Sequence, residues 1–205
     1  MDVQETRSDT HRCSAATLLL HATKSSSIYM ENMWFWVADH DIESSAQSYV
    51  NVYAARSVLI ESQGPSWVHG ASSEHATLYQ WQLSGAKDIY IGHIQSETPY
   101  FQSQIPALKP YKPGGKFFHD PTFSDCSSSP SSSDTCLKAW GIRIVYSQNV
   151  FLYGGGFYSF FKHYSDSCSK TFDCQDRIVD TSFSEKIYLF DIFTVGTKQA
   201  VSPQG

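Results

Sequence analysis

The stretch LYQWQLSGAKDIYIGH, residues 78–93, holds the pattern that decides the fold. Apolar and polar residues alternate on both sides of a small S-G-A turn at 84–86, and a period of two residues is typical of β-strands. The same order of strand, small turn and second strand recurs in VNVYAARSVLIES (50–62) and GIRIVYSQNVFLYGG (141–155). The chain therefore repeats one supersecondary unit.

The spacing of this repeat favours a solenoid of strands. Val58 matches Ile89 at an offset of 31, and Ile89 matches Val150 at an offset of 61, about two such steps. Because helical periodicity is scarce, we predict an all-β fold, a parallel β-helix in which each repeat forms one coil. The rival architecture is an antiparallel sandwich of hairpins, which would favour Asn-Gly or Asp-Gly tips, and neither dipeptide occurs.

The predicted β-helix domain covers residues 15–205 and follows an irregular segment at 1–14. A long loop insertion at 103–138 interrupts the coils, because this region is rich in Pro and Ser and has no strand pattern. Tyr158–His163 is a candidate for one turn of helix. We interpret Gly154–Gly156 as a tight bend of a coil, since no GK[ST] follows it as in a phosphate loop.

Charge and hydropathy argue against two classes of partner. The chain carries 15 basic and 20 acidic residues, for a formal net charge of −5, and has no basic run. Nucleic acid is therefore not an expected partner. No stretch approaches the ~20 apolar residues of a membrane helix, and the polar N-terminal sequence has no visible export signal.

Four of the five cysteines bracket two short loops. Cys126 and Cys136 enclose a Ser-rich segment, and Cys168 and Cys174 enclose SKTFD. Disulfides at these places fit an oxidising compartment, whereas the alternative is reduced surface thiols. The spacings do not match a zinc knuckle. Cys13 is left over, and an odd cysteine in a secreted chain implies a missing partner.

Two glutamates, Glu74 and Glu97, lie 23 positions apart among aromatic residues. A separation of 23 is a reasonable coil length, so the two side chains can be neighbours in stacked coils. Sugar hydrolysis needs an acid that protonates a leaving oxygen and flat rings that hold sugar faces. For either glutamate alone, the alternative is a solvated surface side chain.

Residues near this pair are candidates for substrate binding: Trp67, His75, Trp81 and Tyr100. For the aromatic residues the alternative is a place in the core, and for His75 it is a structural hydrogen bond. The run Asp39–Asp41 includes His40 and resembles a metal-binding cluster. We interpret it as a polar turn, because the remaining ligands of a metal cage are not evident.

The segments ENMWFWVADHDIE (31–43), 51–82 and IGHIQSETPYFQ (91–102) resemble glycoside hydrolase family 55, and the resemblance extends over residues 13 to 197. Members of this family are exo-β-1,3-glucanases built from two tandem right-handed parallel β-helices. The resemblance implies a single-stranded, pectin-lyase-like β-helix in this chain, with no cofactor and no metal. It also implies an extracellular location.

By this resemblance, Glu97 in QSETPYFQ matches the catalytic acid of an inverting mechanism. Glu74 in SSEH matches a second carboxylate that helps to place water or substrate. Family members are several times longer, so the chain is expected to be an incomplete second β-helix that lacks an N-terminal β-helix. Little or no activity is therefore expected of it alone.

The implied substrate is a β-1,3-glucan, as found in fungal cell walls. Two alternatives to hydrolysis stay open. One is a non-catalytic β-helix that binds glucan through the same groove. The other is a polysaccharide lyase on the same fold, which would need a Ca²⁺ cage or a basic residue to take a proton.

Overall fold

The computed structural model describes residues 14–43, 50, 52–111, 119–128 and 133–203. These residues form twelve strands in two parallel sheets, with two short α-helices and one 3-10 helix. The all-β prediction is confirmed, and the parallel pairing excludes the sandwich of antiparallel hairpins. The predictions for residues 1–13, including Cys13, and for the tip of the Ser-rich loop at 129–132 lie outside the described residues.

Both sheets are built from parallel neighbours. The first sheet has the spatial order β1 (Ser14–Ala22), β4 (Tyr53–Ile60), β6 (Tyr79–Ser84), β8 (Trp140–Val145), β10 (Gln175–Asp180) and β12 (Thr197–Ser202). The second sheet contains β2 (Tyr29–Glu31), β3 (Trp34–Trp36), β5 (Ser66–Glu74), β7 (Lys87–Glu97), β9 (Gln148–Tyr158) and β11 (Glu185–Val195). From β4 to β12 the chain alternates between the sheets, so it winds in successive coils.

The helical segments are short. They comprise a 3-10 helix at Ser124–Ser128, α1 at Ser133–Cys136 and α2 at Ser167–Thr171. The prediction of a helical turn at Tyr158–His163 is wrong, because Tyr158 ends a strand and the helix begins at Ser167. None of the helices in the described ranges is long and apolar enough to span a bilayer.

The strand register corrects the predicted repeat. Ile89 pairs with Val150, so the offset of 61 is confirmed, but it corresponds to one coil. The loop between β7 and β8 contains the additional residues. The offset of 31 is wrong, because Val58 belongs to the first sheet and pairs with Trp81. Adjacent coils at β5 and β7 are 23 residues apart, as between Ser72 and Gln95.

A continuous apolar core fills the space between the two sheets. Its fully buried members come from both sheets and include Val58, Trp81, Ile91, Ile142 and Leu152. Complete burial of one such aliphatic side chain stabilises the fold by about 1.5–3 kcal/mol. The core therefore holds both sheets in place, and chemistry is confined to the outer surface and the loops.

Every coil of the second sheet bends at one residue with a left-handed backbone. Equivalent positions in neighbouring coils carry Asn32, Gly70, His93, Gly154 and Asp191, with φ between 54° and 75°. Glycine and asparagine adopt this conformation with little strain. The bend resets the alternation of side chains, so that in β7 Ile91 and Ile94, three positions apart, are both buried.

This bend divides the outer surface of the second sheet into two parts. We call the part before the bend the leading face, made of residues 29–31, 66–69, 87–92, 148–153 and 185–190. The part after it is the trailing face, made of residues 34–36, 71–74, 94–97, 155–158 and 192–195.

The bend places Glu74 and corrects one local prediction. Gly70 and Ala71 lie inside β5, so Glu74 is the last residue of that strand. Gly154 occupies the bend, but the next two glycines continue β9 and do not form a tight corner.

Candidate active site

One row of side chains crosses the end of the trailing face. It consists of Trp36, Glu74, Glu97 and Tyr158, which pair in register on four adjacent strands. Neighbouring strands lie about 4.8 Å apart, so the two glutamates are direct neighbours. The expectation that one coil separates them is confirmed.

Glu97 is surrounded by hydrogen-bond donors. Its Oε2 accepts a hydrogen bond from the Tyr100 hydroxyl at 2.7 Å, and its Oε1 lies 3.4 Å from Nε2 of Gln95. Nε2 of His75 lies 3.7 Å from Oε2, slightly beyond hydrogen-bonding distance. Burial raises the pKa of Glu97, but His75 and the Tyr100 hydroxyl outweigh burial and lower it. The surroundings therefore favour the carboxylate form.

Glu74 is bridged to Glu97 through two polar side chains. The Ser72 hydroxyl donates to Oε1 of Glu74 at 2.6 Å, and the same hydroxyl lies 2.5 Å from Oε1 of Gln95. Gln95 in turn contacts Glu97. Ser72 and Gln95 thus fix the position of both carboxyl groups.

A buried ion pair lies behind Glu97. Nδ1 of His75 lies 3.0 Å from Oδ1 of Asp39, and these residues are 1% and 0% exposed. Burial lowers the pKa of His75, but the charge of Asp39 and the contacts with Asp39 and Glu97 raise it to about 10. Burial raises the pKa of Asp39, but His75, His40 and the Tyr100 backbone N–H lower it to about 2. Both groups of the pair are therefore charged at neutral pH.

Asp39, His40 and His75 could also hold a metal ion, since each offers a ligand atom and these atoms lie within 4.8 Å of one another. However, Nδ1 of His40 and Nδ1 of His75 lie 2.7 Å and 3.0 Å from the same Asp39 oxygen. These are the distances of two N–H groups donating to one carboxylate. Hydrogen bonding therefore accounts for the cluster, and we assign no metal to it.

Aromatic rings border the carboxylates. The Tyr100 ring stacks on His40 with a centroid distance of 4.8 Å and contacts Phe161 at 4.1 Å. Trp34 and Trp36 stack on each other at 5.3 Å, and Trp34 is 55% exposed. We did not predict a role for these two tryptophans. Their spacing in WFW, which places both on one side of a strand, was the available signal.

The structure separates the four residues predicted to bind substrate. Tyr100 and His75 contact Glu97. Trp67 is 42% exposed but lies on the leading face, across the bend from the carboxylates. The assignment of Trp81 is wrong, because its side chain is completely buried and its Nε1 donates to the backbone oxygen of Gln95.

A groove adjoins the row of carboxylates. Its volume is about 280 Å³, and its lining includes Gln95, Gly156, Tyr158 and Phe193. A larger cavity of about 780 Å³ lies elsewhere, against Ile187 of the last coil. We give more weight to the smaller groove, because it is the one that touches the neighbours of Glu97.

Both predicted disulfides are present. Cys126 pairs with Cys136 and Cys168 pairs with Cys174, with Cα–Cα distances of 5.7 Å and 4.8 Å. The Arg177 guanidinium lies near both sulfurs of the first pair, so this pair fastens the long loop to β10. Two disulfides fit an oxidising compartment.

Two neighbouring carboxylates bordered by aromatic rings, on a parallel all-β scaffold, define a site suited to carbohydrate chemistry. The names of similar proteins agree with this class of site. The chain is 44% identical over 194 residues, 95% of its length, to a "probable glucan endo-1,3-beta-glucosidase" of Arthroderma benhamiae. It is 37% identical over 200 residues, 94% of its length, to a "glucan 1,3-beta-glucosidase" of Cochliobolus carbonum. The chain is thus related to glucan hydrolases.

A third relative carries a different name. The chain is 44% identical over 191 residues to a "non-secreted LysM effector LysM15" of Penicillium expansum. The chain spans 21% of the Arthroderma protein, 24% of the Cochliobolus protein and 12% of the Penicillium protein. No known family profile matches the chain.

Proposed function

We propose that this chain provides the carboxylate side of a β-1,3-glucan hydrolase active site on a right-handed parallel β-helix. The observation that carries the proposal is the in-register pair of Glu74 and Glu97 at the end of the trailing face. The names of two relatives support the choice of a β-1,3-glucan as substrate. Because the chain spans less than a quarter of these relatives, the activity of the whole protein is part of the proposal.

In this proposal Glu97 protonates the glycosidic oxygen, and Glu74 orients water or a sugar hydroxyl. An inverting mechanism needs about 6.5–9.5 Å between the acid and the base that activates water. Glu74 and Glu97 stand on neighbouring strands about 4.8 Å apart. In this proposal, residues of another part of the cleft activate the water.

Carboxylates on neighbouring strands are also compatible with a second mechanism. Retaining enzymes place their two carboxyl groups about 5–5.5 Å apart and use one of them as the nucleophile. Glu74 would then attack the anomeric carbon. Proton NMR of the freshly released sugar distinguishes the two mechanisms, because inversion of a β-glucan gives the α-anomer first and retention gives the β-anomer.

The test is hydrolysis of a soluble β-1,3-glucan by the purified chain, followed by reducing-end release and by product size. An exo enzyme releases glucose alone, whereas an endo enzyme releases a series of oligosaccharides. We expect Glu97→Gln to lower the rate by about 10²–10⁴-fold. Glu31→Gln is the matched control, because Glu31 is an outward glutamate on the leading face. Equal losses in both variants would contradict the proposal.

Binding experiments identify the alternatives. Calorimetric binding of the glucan without turnover, unchanged in Glu97→Gln, would select a non-catalytic glucan-binding protein. An unsaturated product that absorbs in the ultraviolet would select a polysaccharide lyase. Absence of both binding and turnover would reject a glucan-active site altogether.

A further inference from the structure

The surroundings of Glu97 conflict with the simplest account of a general acid. A general acid must carry a proton when the substrate binds. Tyr100 donates a hydrogen bond to Oε2 of Glu97, and the charged His75 lies 3.7 Å away, so both neighbours favour the ionised form. The proton that Glu97 delivers must therefore be held by another group in the resting protein.

His75 is placed to hold that proton. Its Nδ1 faces Asp39, while its Nε2 is buried and has no hydrogen-bond partner among the described residues. Oε2 of Glu97 lies 3.7 Å from this Nε2. A buried N–H without an acceptor is unfavourable, so a small movement that joins Nε2 to Oε2 would be stabilising.

The backbone holds the two residues in this arrangement. The N–H of His75 donates to the carbonyl oxygen of Glu97 at 3.0 Å, so the ends of β5 and β7 are fastened together. His75 adopts a left-handed backbone with φ 69°, directly after the end of β5. Histidine is among the residues that adopt this conformation more readily.

We propose that His75, oriented by Asp39, is a positioning residue that stores the proton which Glu97 delivers to the glycosidic oxygen. This inference rests on the proposed function. In the resting chain the proton is on Nε2 of His75. When a sugar covers Glu97 and displaces water, the neutral carboxyl group becomes more favourable. The proton then moves to Oε2 of Glu97, while the Nδ1–H of His75 continues to donate to Asp39.

One turnover leaves the number of protons on His75 and Glu97 unchanged. Glu97 gives its proton to the glycosidic oxygen as the C–O bond breaks. Water adds to the anomeric carbon and releases one proton to the other side of the cleft. One proton from solvent then restores His75 through Glu97. No redox step is involved, and the charge of the His75–Glu97 pair is the same before and after the cycle.

Several titratable groups face the pair from the surrounding elements: Asp39 and His40 before β4, Glu74 on β5, Tyr100 after β7, and Tyr158 on β9. Asp39 and Glu74 can carry negative charge, which favours a proton on the imidazole. Tyr100 and Tyr158 remain neutral at ordinary pH, because their pKa values are raised. The resting proton on His75 is thus supported from two sides.

The pH profile separates a proton store from a structural hydrogen bond. The variant is His75→Gln, whose amide can donate an N–H but cannot titrate. In the unaltered chain, His75 and Glu97 keep their shared proton at pH values well above the pKa of Glu97. The kcat/KM for glucan hydrolysis therefore stays constant over that pH range. In the His75→Gln variant the store is lost, so kcat/KM should fall about tenfold for each pH unit above that pKa. A merely structural role would lower kcat/KM equally at all pH values.

His69→Gln is the matched control. His69 lies on β5, the strand that ends just before His75, and it is on the leading face against Tyr29 and Tyr90. We expect its pH profile to equal that of the unaltered chain. A steeper alkaline decline in this control as well would contradict a specific role of His75.

A second measurement does not depend on activity. Carboxyl ¹³C NMR of Glu97 should show its pKa rising by about 1–3 in His75→Gln, as expected for loss of a nearby opposite charge. In the unaltered chain, imidazole ¹⁵N NMR should show His75 doubly protonated at neutral pH. A neutral His75 there would overturn the proposal even if the variant does not fold.

The outcomes distinguish this inference from the proposed function. If turnover depends on Glu97 but Glu97 has the same pKa in the unaltered chain and in His75→Gln, the role of His75 is overturned and the proposed function stands. Absence of both glucan binding and turnover in the unaltered chain would overturn the proposed function, and proton delivery with it.

Discussion

The leading and trailing faces share the same strands but differ in chemistry. On the leading face, aromatic rings of neighbouring coils stack on one another, as Phe151 does on Tyr188 at 4.8 Å and Tyr153 on Phe190 at 4.6 Å. On the trailing face, the equivalent neighbours are Glu74 and Glu97. One bend per coil separates these two arrangements.

This difference shows that aromatic content alone does not identify a sugar site. Rings that stack at 9° and 11° cover each other's flat surfaces and leave their edges to solvent. A sugar needs a free ring face. The leading face therefore stabilises the stack of coils, while the rings of the trailing face border a polar row. Trp67 belongs to the leading face, so its assignment to a sugar subsite loses support.

The largest effect on stability should come from the network under the trailing face. Asp39→Asn removes the charge that opposes His75, and breaking a buried ion pair destabilises a protein by about 3–5 kcal/mol. The pKa of His75 is raised from 6.5 to about 10, so its contribution is complete below pH 6.5 and is lost as the pH rises to 10. The pKa of Asp39 is lowered from 3.8 to about 2, so its contribution is lost as the pH falls from 3.8.

Urea unfolding at several pH values checks this prediction. The difference between the unaltered chain and Asp39→Asn should be greatest between pH 3.8 and 6.5 and should narrow towards pH 10. A difference that does not change with pH would show that Asp39 acts only by packing.

A smaller effect is expected at the bend that separates the faces. Gly154→Ala places a side chain at φ 75°, and a left-handed backbone is unfavourable by about 1–2 kcal/mol for a residue with Cβ. The new Cβ would also lie 3.1 Å from Cδ2 of His93. Thermal unfolding measures the loss.

Gly64→Ala is the control for this substitution. Its Cβ would meet the nearest atom, Cβ of Ser27, only at 3.9 Å, and its φ is outside the left-handed region. We expect a change within about 0.5 kcal/mol. An equal loss at both glycines would mean that the bend requires no left-handed residue at position 154.

The smallest effect on glucan binding and turnover should arise on the leading face. Tyr153→Ala removes the stacking with Phe190, which is worth about 0.5–1.5 kcal/mol beyond the buried area. Glucan binding and turnover should not change. A loss of glucan binding equal to that in a Trp34→Ala variant would reject the division of roles between the two faces.

The sequence predicted the solenoid of parallel strands, but only where the strands are apolar. β10 and β12 were not predicted, because QDRIVD and TKQAVS contain few apolar residues. The stretch Ser27–Val37 forms two strands, β2 and β3, since Asn32 lies at the bend between them. The offset of 31 was wrong because strands of both sheets show the same alternation of apolar and polar residues. Which strands pair with each other is decided only by how the chain winds in three dimensions.

The candidate site was predictable only in part. The distance of 23 residues between the glutamates equals one coil, so their proximity follows from the fold class. The contact of His75 with Asp39 joins two other adjacent coils, in which equivalent residues are 38 positions apart. Burial of Trp81 was not predictable, because alternation shows that residues share a side but not which side faces the core.

Coil length has a consequence for the order of folding. Neighbouring coils are 23 residues apart between β5 and β7, but 38, 61 and 37 residues apart at the other three junctions of the second sheet. Closing a chain segment loses less entropy when the segment is short, by about 0.9 kcal/mol for 23 residues against 61. The coil that joins Glu74 to Glu97 should therefore close first, so that the carboxylate pair is already assembled in the nucleus from which the other coils grow.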